Sequence, residues 1–247
     1  MSGHSRWAGI KHKKGLIDAK KGKTFTRIVR ELTIAARTSG GSPENNPRLR
    51  KAIEDARAAN MPSDNVKKAI QRGTGEIPGM TFEEVSYEGY GPGGAAVFFT
   101  GTTDNKNRTS SEIRKIFSSH GGNMGESGCV AWMFHTKGQL IVEKSTWADE
   151  EKLMTVALDA GAEDIKSEDP DIFQVLTAPA DFEKVKTAMS GAGIPLSSAE
   201  VTMVPSTLAP LKAGQARQME ALMESLENND DVKDIYTNAD IEPEAGA

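Results

Sequence analysis

The fold is decided by residues 138–204, which read GQLIVEKSTWADEEKLMTVALDAGAEDIKSEDPDIFQVLTAPADFEKVKTAMSGAGIPLSSAEVTMV. Runs of β-branched and apolar residues predict strands, and apolar residues at helical spacing predict helices. The predicted elements are strands at 139–143, 164–166, 172–177 and 200–204, with helices at 148–160 and 180–189. This β-α-β-β-α-β order predicts a ferredoxin-like domain.

The segments on either side of this stretch predict one further mixed domain. The segment before it contains predicted strands at 82–88, 95–100 and 129–134 and one predicted helix at 109–120. These elements make a β-β-α-β unit that lacks a second helix. The segment after residue 204 supplies that helix at 215–226, followed by a strand at 232–236. We therefore expect residues 138–204 to be inserted into a middle domain made of residues 80–137 and 205–240.

The N-terminal part predicts a bundle of three helices over residues 18–73. Helical spacing predicts that the apolar face of the first helix consists of Phe25, Ile28, Val29, Leu32 and Ala36. Caps and breakers mark the other two helices, namely Asn46 and Pro47 at the start of the second, Ser63 as the cap of the third and Gly73 as its stop. With the basic residues before it, the bundle forms a domain of residues 1–79.

The predicted fold class follows from these three parts. It is α+β, with an N-terminal three-helix domain followed by two mixed α/β domains. The last of these is ferredoxin-like and is inserted into the middle one.

The net charge of −5 conceals a strong asymmetry along the chain. Residues 1–72 hold 17 Lys and Arg against 6 Asp and Glu, a net charge of +11, whereas the remainder carries −16. A polyanion attracts the first part and repels the second. Cations that neutralise phosphates release counterions, so this charge favours nucleic acid as the partner over an anionic membrane or an acidic protein.

The candidate binding residues form two groups. In the tail and the first helix, cations are expected to contact phosphates while an indole and an imidazole stack on unpaired bases. This group consists of Arg6, Trp7, Lys11, His12, Lys13, Lys14, Lys20, Lys21, Lys23, Arg27 and Arg30. The third helix offers Lys67, Lys68 and Arg72 to a DNA major groove if the short turn before it makes a helix-turn-helix. Short helical hairpins are also common as purely structural elements.

The polar segment 103–109 has two interpretations. Its candidate contact residues are Asp104, Asn105, Asn107 and Arg108. The segment either caps the following helix, with Asn107 or Thr109 as the N-cap, or forms a contact loop in which Arg108 binds a phosphate.

The sequence predicts no enzyme. Gly89–Gly94 spells G-x-G-x-x-G, but a strand is predicted next, whereas phosphate binding requires a helix N-terminus, so a hairpin loop is favoured. The four histidines are not spaced as metal ligands, and the single Cys129 lies in an apolar run with no base beside it. We therefore predict no catalytic residue, no metal, no cofactor and no small-molecule substrate.

The sequence also predicts a cytoplasmic location. No apolar run approaches the ~20 residues of a membrane span, and the first residues lack the apolar core of a signal peptide. One cysteine excludes an intramolecular disulfide, which fits a reducing compartment. No membrane partner is expected.

Seven motifs, in order over almost the whole chain, make this sequence resemble the YebC/PmpR family. They are GHSRW at 3–7, FTRIVRE at 25–31, NMPSDN at 60–65, YEGYGPGG at 87–94, TDNKNRT at 103–109, GGNMG at 121–125 and GCVAW at 128–132. Cys129 stands where we would expect serine, and Arg6 where lysine is common.

The resemblance implies a three-domain α+β fold and a role in gene expression without catalysis. Bacterial members of the family carry the label of probable transcriptional regulators. The mitochondrial relative is a translational activator of cytochrome c oxidase. Some bacterial members resemble ribosome-acting factors that relieve stalling on proline-rich sequences.

Residues and resemblance together predict a non-enzymatic, nucleic-acid-binding regulator of gene expression, with three hypotheses for its target. The favoured one is a translation factor that binds ribosomal RNA through the tail and first helix. The second is a transcriptional regulator that binds duplex DNA through the third helix. The third is an adaptor whose acidic clusters, such as 149–151 and 227–231, bind another protein.

Overall fold

The computed structural model describes residues 21–241 of the chain, with side chains for residues 24–240. It begins with three helices, α1 (Lys21–Ser39), α2 (Pro47–Ala58) and α3 (Ser63–Thr74). Their facing sides form one apolar core, whose buried residues include Ile28, Leu32, Leu49, Ala56 and Ala69. This confirms the predicted three-helix bundle.

The starts of α2 and α3 differ in how they are capped. The Asn46 side-chain oxygen accepts a hydrogen bond from the backbone N–H of Leu49 at 3.0 Å, and Pro47 occupies the first turn, as predicted. Ser63, by contrast, is already the first residue of α3, and Pro62 in the cap position makes no side-chain hydrogen bond. The predicted cap at Ser63 is therefore wrong.

Gly73 is a packing residue and not the stop of α3. The helix continues to Thr74 and ends at Gly75, whose φ of 80° is left-handed. A Cβ at Gly73 would come within 2.3 Å of the carbonyl oxygen of Thr33 in α1. The missing side chain thus lets α1 and α3 approach closely. From the sequence pattern alone, a glycine that packs between helices looks the same as one that ends a helix.

The rest of the chain alternates strands and helices. In chain order the elements are β1 (Glu83–Tyr90), β2 (Ala96–Thr103), α4 (Lys106–Ser119), β3 (Asn123–Met124), β4 (Phe134–Glu143), α5 (Glu150–Ala160), β5 (Ala162–Lys166), β6 (Ile172–Thr177), α6 (Phe182–Gly191), β7 (Ser198–Pro205), β8 (Ala209–Leu211), α7 (Ala213–Glu227), β9 (Val232–Thr237) and β10 (Ala239–Ile241). Short 3₁₀ turns occupy Pro92–Gly94 and Ala131–Met133.

One sheet has the strand order β3-β1-β2-β9 and is antiparallel throughout. Helices α4 and α7 cover one face of this sheet, where the buried core includes Phe99, Phe117, Met219, Leu222 and Ile235. We call this sheet with its two helices the middle domain. The glycine-rich segment between β1 and β2 is the hairpin loop that the sequence predicted.

The strand predicted at residues 129–134 is wrong. Residues 131–133 form a 3₁₀ turn, and β4 begins only at Phe134. The apolar side chains of Val130 and Phe134 are buried against Phe98 on the second face of the middle sheet. The apolar run therefore indicates that the segment is buried. A short apolar run is equally typical of a buried strand and of a packed loop.

The second sheet has the order β5-β6-β4-β7, and all its neighbours are antiparallel. Its core with α5 and α6 includes Leu140, Val142, Leu153, Val175 and Val185. This order and the β-α-β-β-α-β sequence confirm the ferredoxin-like domain. The chain enters it from the middle domain and returns through α7 to β9, which pairs with β2, so it is an insertion.

Candidate nucleic-acid interface

Most of the predicted tail residues lie outside the part of the chain that the structure describes. These are Arg6, Trp7, Lys11, His12, Lys13, Lys14 and Lys20. Lys21 and Lys23 belong to the start of α1, but their side chains are also outside the described set. Their role in binding stays a prediction.

Arg27 and Arg30 contact the middle domain. The Arg30 guanidinium donates to the carboxylate of Asp231 at 2.7 Å and to the carbonyl oxygen of Asp230 at 2.6 Å. Arg27 donates to the carbonyl oxygen of Glu227 at 2.7 Å. Only 11% of the Arg30 side chain is exposed. Bonds to oxygens of the middle domain thus engage part of each guanidinium group, and phosphate contacts by these two arginines stay a prediction.

Asp231 binds both Arg30 of the bundle and residues of the middle domain. Its carboxylate, 3% exposed, accepts from Arg30 and from Arg108, each at 2.7 Å, and from the hydroxyl of Thr109. The chain passes very close to β2 here, since a Cβ on Gly101 would lie 2.1 Å from the Asp231 carbonyl oxygen. The glycine thus permits the approach that brings the carboxylate between the two arginines.

Asp231 remains an anion in this environment. Burial alone would raise the pKa of its carboxyl, but hydrogen bonds from Thr109 and Arg108 and the charge of Arg30 hold the pKa below its ordinary value. An ionised carboxylate with three donors is satisfied although it is buried. The structure therefore contains a buried ionic contact that ties α1 to the middle domain.

A second ionic cluster supports the same interface. Arg48 of α2 donates to Glu31 and to Glu84 of β1, each at 2.6 Å, and Lys233 of β9 donates to Glu31 at 3.0 Å. Burial alone would raise the pKa of Glu31, but Arg48 and Lys233 lower it. The bundle is thus attached to the middle sheet through two clusters, each centred on an acid.

The segment 104–109 caps α4, and its cap differs from the predicted one. The side chain of Asn105 accepts a hydrogen bond from the backbone N–H of Arg108 at 3.1 Å. Asn105 is therefore the N-cap, in place of the predicted Asn107 or Thr109. Thr109 is buried and turns its hydroxyl inward.

Arg108 does not offer a free guanidinium for a phosphate. It pairs with Asp104 at 2.9 Å and with Asp231 at 2.7 Å. Two carboxylates thus bind the Arg108 guanidinium while 42% of the side chain stays exposed, and a phosphate contact by Arg108 stays a prediction. Asp104, Asn105 and Asn107 are exposed, so a contact role for them stays a prediction.

Lys67, Lys68 and Arg72 of α3 are exposed. Within the described residues, the ion pairs of the bundle involve Arg30, Arg48 and Lys51 and none of these three cations. The first turn of α3 contains a single acid, Asp64. Of the predicted cations with described side chains, these three therefore remain available to an external anion.

A cleft of about 720 Å³ lies where the bundle, the middle domain and the ferredoxin-like domain meet. Its cations all have partners inside the protein; they are Arg27, Arg48, Lys51, Lys186 and Lys233. Such a cleft is an ion-paired junction between domains and offers little to a phosphate.

Sequence reasoning missed Asp231, Glu88 and Trp132. Asp231 was placed in an acidic cluster that is usually solvated, and its partner Arg30 is about 200 residues away. Glu88 is only 5% exposed, and its carboxylate is bound by backbone N–H groups of the segment 128–131. Trp132 is 66% exposed, whereas the predicted strand had placed it in an apolar run.

Two classes of site are not found between residues 21 and 241. No group of three or more His, Cys, Asp or Glu side chains there is placed to hold a metal ion. Nor does any helix in that range have the length and apolar character required to cross a bilayer.

The sequence is similar to known families and proteins over its whole length. Residues 5–76 match the TACO1/YebC protein N-terminal domain, and residues 82–239 match the TACO1/YebC second and third domain. A protein of Endomicrobium trichonymphae is 58% identical over 99% of this chain and 97% of its own. One of Dictyoglomus turgidum is 54% identical over 99% and 98%. Both are named probable transcriptional regulatory protein.

A solved structure shares the same fold. The crystal structure of a conserved hypothetical protein from Aquifex aeolicus is 43% identical in sequence and superposes with a TM-score of 0.78. The match covers 98% of this chain and 99% of that one. The architecture described above, including the inserted domain, is therefore shared with a relative at substantial sequence identity.

Proposed function

This chain belongs to the TACO1/YebC family, and on that premise we propose that it is a non-enzymatic regulator of gene expression that binds ribosomal RNA. In this proposal it acts as a ribosome-associated translation factor, which relieves stalling or activates translation. Its basic N-terminal end makes most of the contacts to RNA phosphates.

The observation that carries the proposal is the charge that remains after internal pairing. Arginines between the bundle and the middle domain are neutralised, whereas Lys67, Lys68 and Arg72 stay exposed. Residues 1–23 add seven Lys and Arg against the single acid Asp18. The sequence thus concentrates net positive charge at one end of a chain whose remainder is acidic, which would orient the protein on a polyanion.

RNA is favoured over duplex DNA by the residue types in the basic segment. Trp7 and His12 stand among its cations, and aromatic rings stack on the unpaired bases by which proteins usually recognise RNA. Phosphate contacts alone carry no sequence information, so they serve a protein that recognises a fixed RNA surface.

The test is co-sedimentation with purified ribosomes over a salt series, in the presence of duplex DNA as competitor. Replacing Lys13, Lys14, Lys20 and Lys21 by Glu should abolish pelleting with ribosomes and leave the circular dichroism spectrum unchanged. The matched control replaces Arg114, Lys115, Lys184 and Lys212, four exposed cations outside the basic region, by Glu.

The control has the same net charge as the tail variant, so a difference in pelleting between them depends on where the charge lies and not on how much there is. The control should pellet nearly as well as the wild-type protein at about physiological salt. Unchanged pelleting of the tail variant, or equal loss in both variants, would sink the proposal.

A second candidate function is transcriptional regulation through duplex DNA. It is favoured by the exposed Lys67, Lys68 and Arg72 on α3 and by the names of the relatives. In this case Lys67→Glu with Lys68→Glu should weaken DNA binding more than the tail substitutions do. A footprint on DNA that survives non-specific competitor supports it, and loss of all sequence preference under competition argues against it.

A further inference from the structure

We propose that Trp132 is a stacking site for one unpaired nucleobase of RNA. This inference rests on the proposed function, because it requires that the chain binds RNA. It adds a contact in the middle part of the chain, far along the sequence from the basic segment. The residue is 66% exposed, although large aromatic side chains usually contribute their area to a core or an interface.

The loop that carries Trp132 is held by a buried carboxylate. Glu88 of β1 is 5% exposed and accepts hydrogen bonds from the backbone N–H groups of Gly128 at 2.6 Å and of Val130 and Ala131 at 2.7 Å. Burial alone would raise the pKa of Glu88, but these three donors lower it, so the anion and its contacts persist at neutral pH. Trp132 is therefore presented from a loop of fixed conformation.

The polar edge of the indole is already satisfied inside the protein. Its Nε1–H donates to the carbonyl oxygen of Cys129 at 3.1 Å, and the hydroxyl of Tyr90 donates to the same oxygen at 3.1 Å. Because the only polar atom of the ring has its partner, the surface left to solvent is the aromatic carbon surface. Such a surface, with its orientation fixed, is ready to accept a flat partner at little entropic cost.

The surroundings of Trp132 favour a base over a protein partner. Its exposed chain neighbours Glu126, Ser127 and His135 are polar. The other large apolar side chains exposed among the described residues lie on other elements; they are Met80, Met154, Leu158 and Val201. A protein partner typically requires a contiguous apolar patch, whereas a single exposed ring suffices for one base.

Trp147 provides the internal comparison. It is half-buried against the ferredoxin-like core, and the ammonium of Lys152 lies 5.1 Å from its ring centre. Its Nε1–H donates to the carbonyl oxygen of Asp149 at 2.8 Å. A packed ring under a cation is not open to a base, so Trp147 is the matched control.

The experiment uses the full chain carrying Trp7→Phe and Trp147→Phe, in which Trp132 is the remaining tryptophan. Its emission is titrated with a single-stranded RNA of about twelve nucleotides and with the duplex form of that RNA. Binding is followed in parallel by the anisotropy of a label on the RNA. We expect single-stranded RNA to quench Trp132 with the same midpoint as the anisotropy change, and the duplex to quench it less.

The affinity of variants gives a second readout in the otherwise wild-type chain. Trp132→Ala should weaken binding of single-stranded RNA by roughly 5- to 150-fold, and by the same factor at low and high salt, because no charge is removed. Trp132→Phe should restore part of the affinity. Trp147→Phe should bind as the wild-type chain does.

Three results would overturn the stacking site, and they separate it from the proposed function. RNA binding with unchanged Trp132 emission and with full affinity in Trp132→Ala removes the site and leaves the proposed function standing. Normal binding of free RNA by Trp132→Ala with loss of ribosome pelleting assigns Trp132 to a protein contact. No RNA binding in any variant removes both proposals.

Discussion

Helices α1 and α3 belong to the same bundle and carry charge of the same sign, yet Arg27 and Arg30 of α1 and Lys67 and Lys68 of α3 have opposite surroundings. Arg27 and Arg30 of α1 donate to oxygens of the middle domain. Lys67 and Lys68 of α3 are exposed to solvent. A count of basic residues in the two helices does not reveal this difference.

The difference separates two uses of positive charge. A buried cation with a buried acid contributes to the arrangement of domains, and breaking the pair leaves a charge without compensation. An exposed cation contributes little to folding and remains free to displace counterions from a phosphate. The substitutions below test this division, from the largest expected change in unfolding free energy to the smallest.

Replacing Asp231 by Ala should have the largest effect. The change leaves Arg30 and Arg108 without the carboxylate they share, and we expect a loss of about 3–5 kcal/mol in the free energy of unfolding. Urea unfolding measures it. The neighbouring exposed Asp230→Ala is the control and should stay within about 0.5 kcal/mol of wild type. Equal stabilities of the two variants would contradict the role of the buried contact.

Gly73→Ala tests the close approach of α3 to α1. The added Cβ would meet the Thr33 carbonyl oxygen at 2.3 Å, so we expect overpacking to cost about 1–3 kcal/mol in thermal or urea unfolding. Gly214→Ala in α7 is the matched change, since its Cβ would meet nothing within 4 Å. That variant should be neutral or more stable by up to about 1 kcal/mol. A harmless Gly73→Ala would mean that the helices can separate freely.

Acid should weaken the contacts of α1 with the middle domain. The pKa of Asp231 is lowered in the folded chain, so its stabilisation is full above the unfolded value of about 3.9 and is lost as pH falls through the lower folded value. Unfolding measured between neutral pH and about pH 3 should show this acid loss in the wild-type chain. The loss should be smaller in Asp231→Asn, and parallel curves would refute the assignment.

Lys67→Ala with Lys68→Ala should have the smallest effect on stability and a measurable one on binding. Both lysines are exposed, so the unfolding free energy should change by less than about 0.5 kcal/mol. The slope of log affinity for RNA against log salt should become shallower by about 1.4, for two phosphate contacts on a single strand. An unchanged slope would remove α3 from the binding surface.

Local patterns in the sequence predicted the elements well. Helical spacing and breakers identified the three-helix bundle, and the β-α-β-β-α-β order of residues 138–204 identified the ferredoxin-like domain. The short strands β3, β8 and β10 were not predicted, and the segment 129–134 was misassigned, because an apolar run there is buried without a strand. Burial and strand formation leave the same short apolar signal, so only the packing separates them.

Periodicity and countable charge were enough to predict the fold class, the insertion of one domain into another and the basic N-terminal end. The tertiary structure decided which cations are neutralised. Arg30 meets Asp231 about 200 residues away, Gly73 lets two helices touch, and Trp132 faces solvent on a loop held by Glu88. These contacts join distant parts of the chain, and their energies depend on distance and burial, which no local pattern contains.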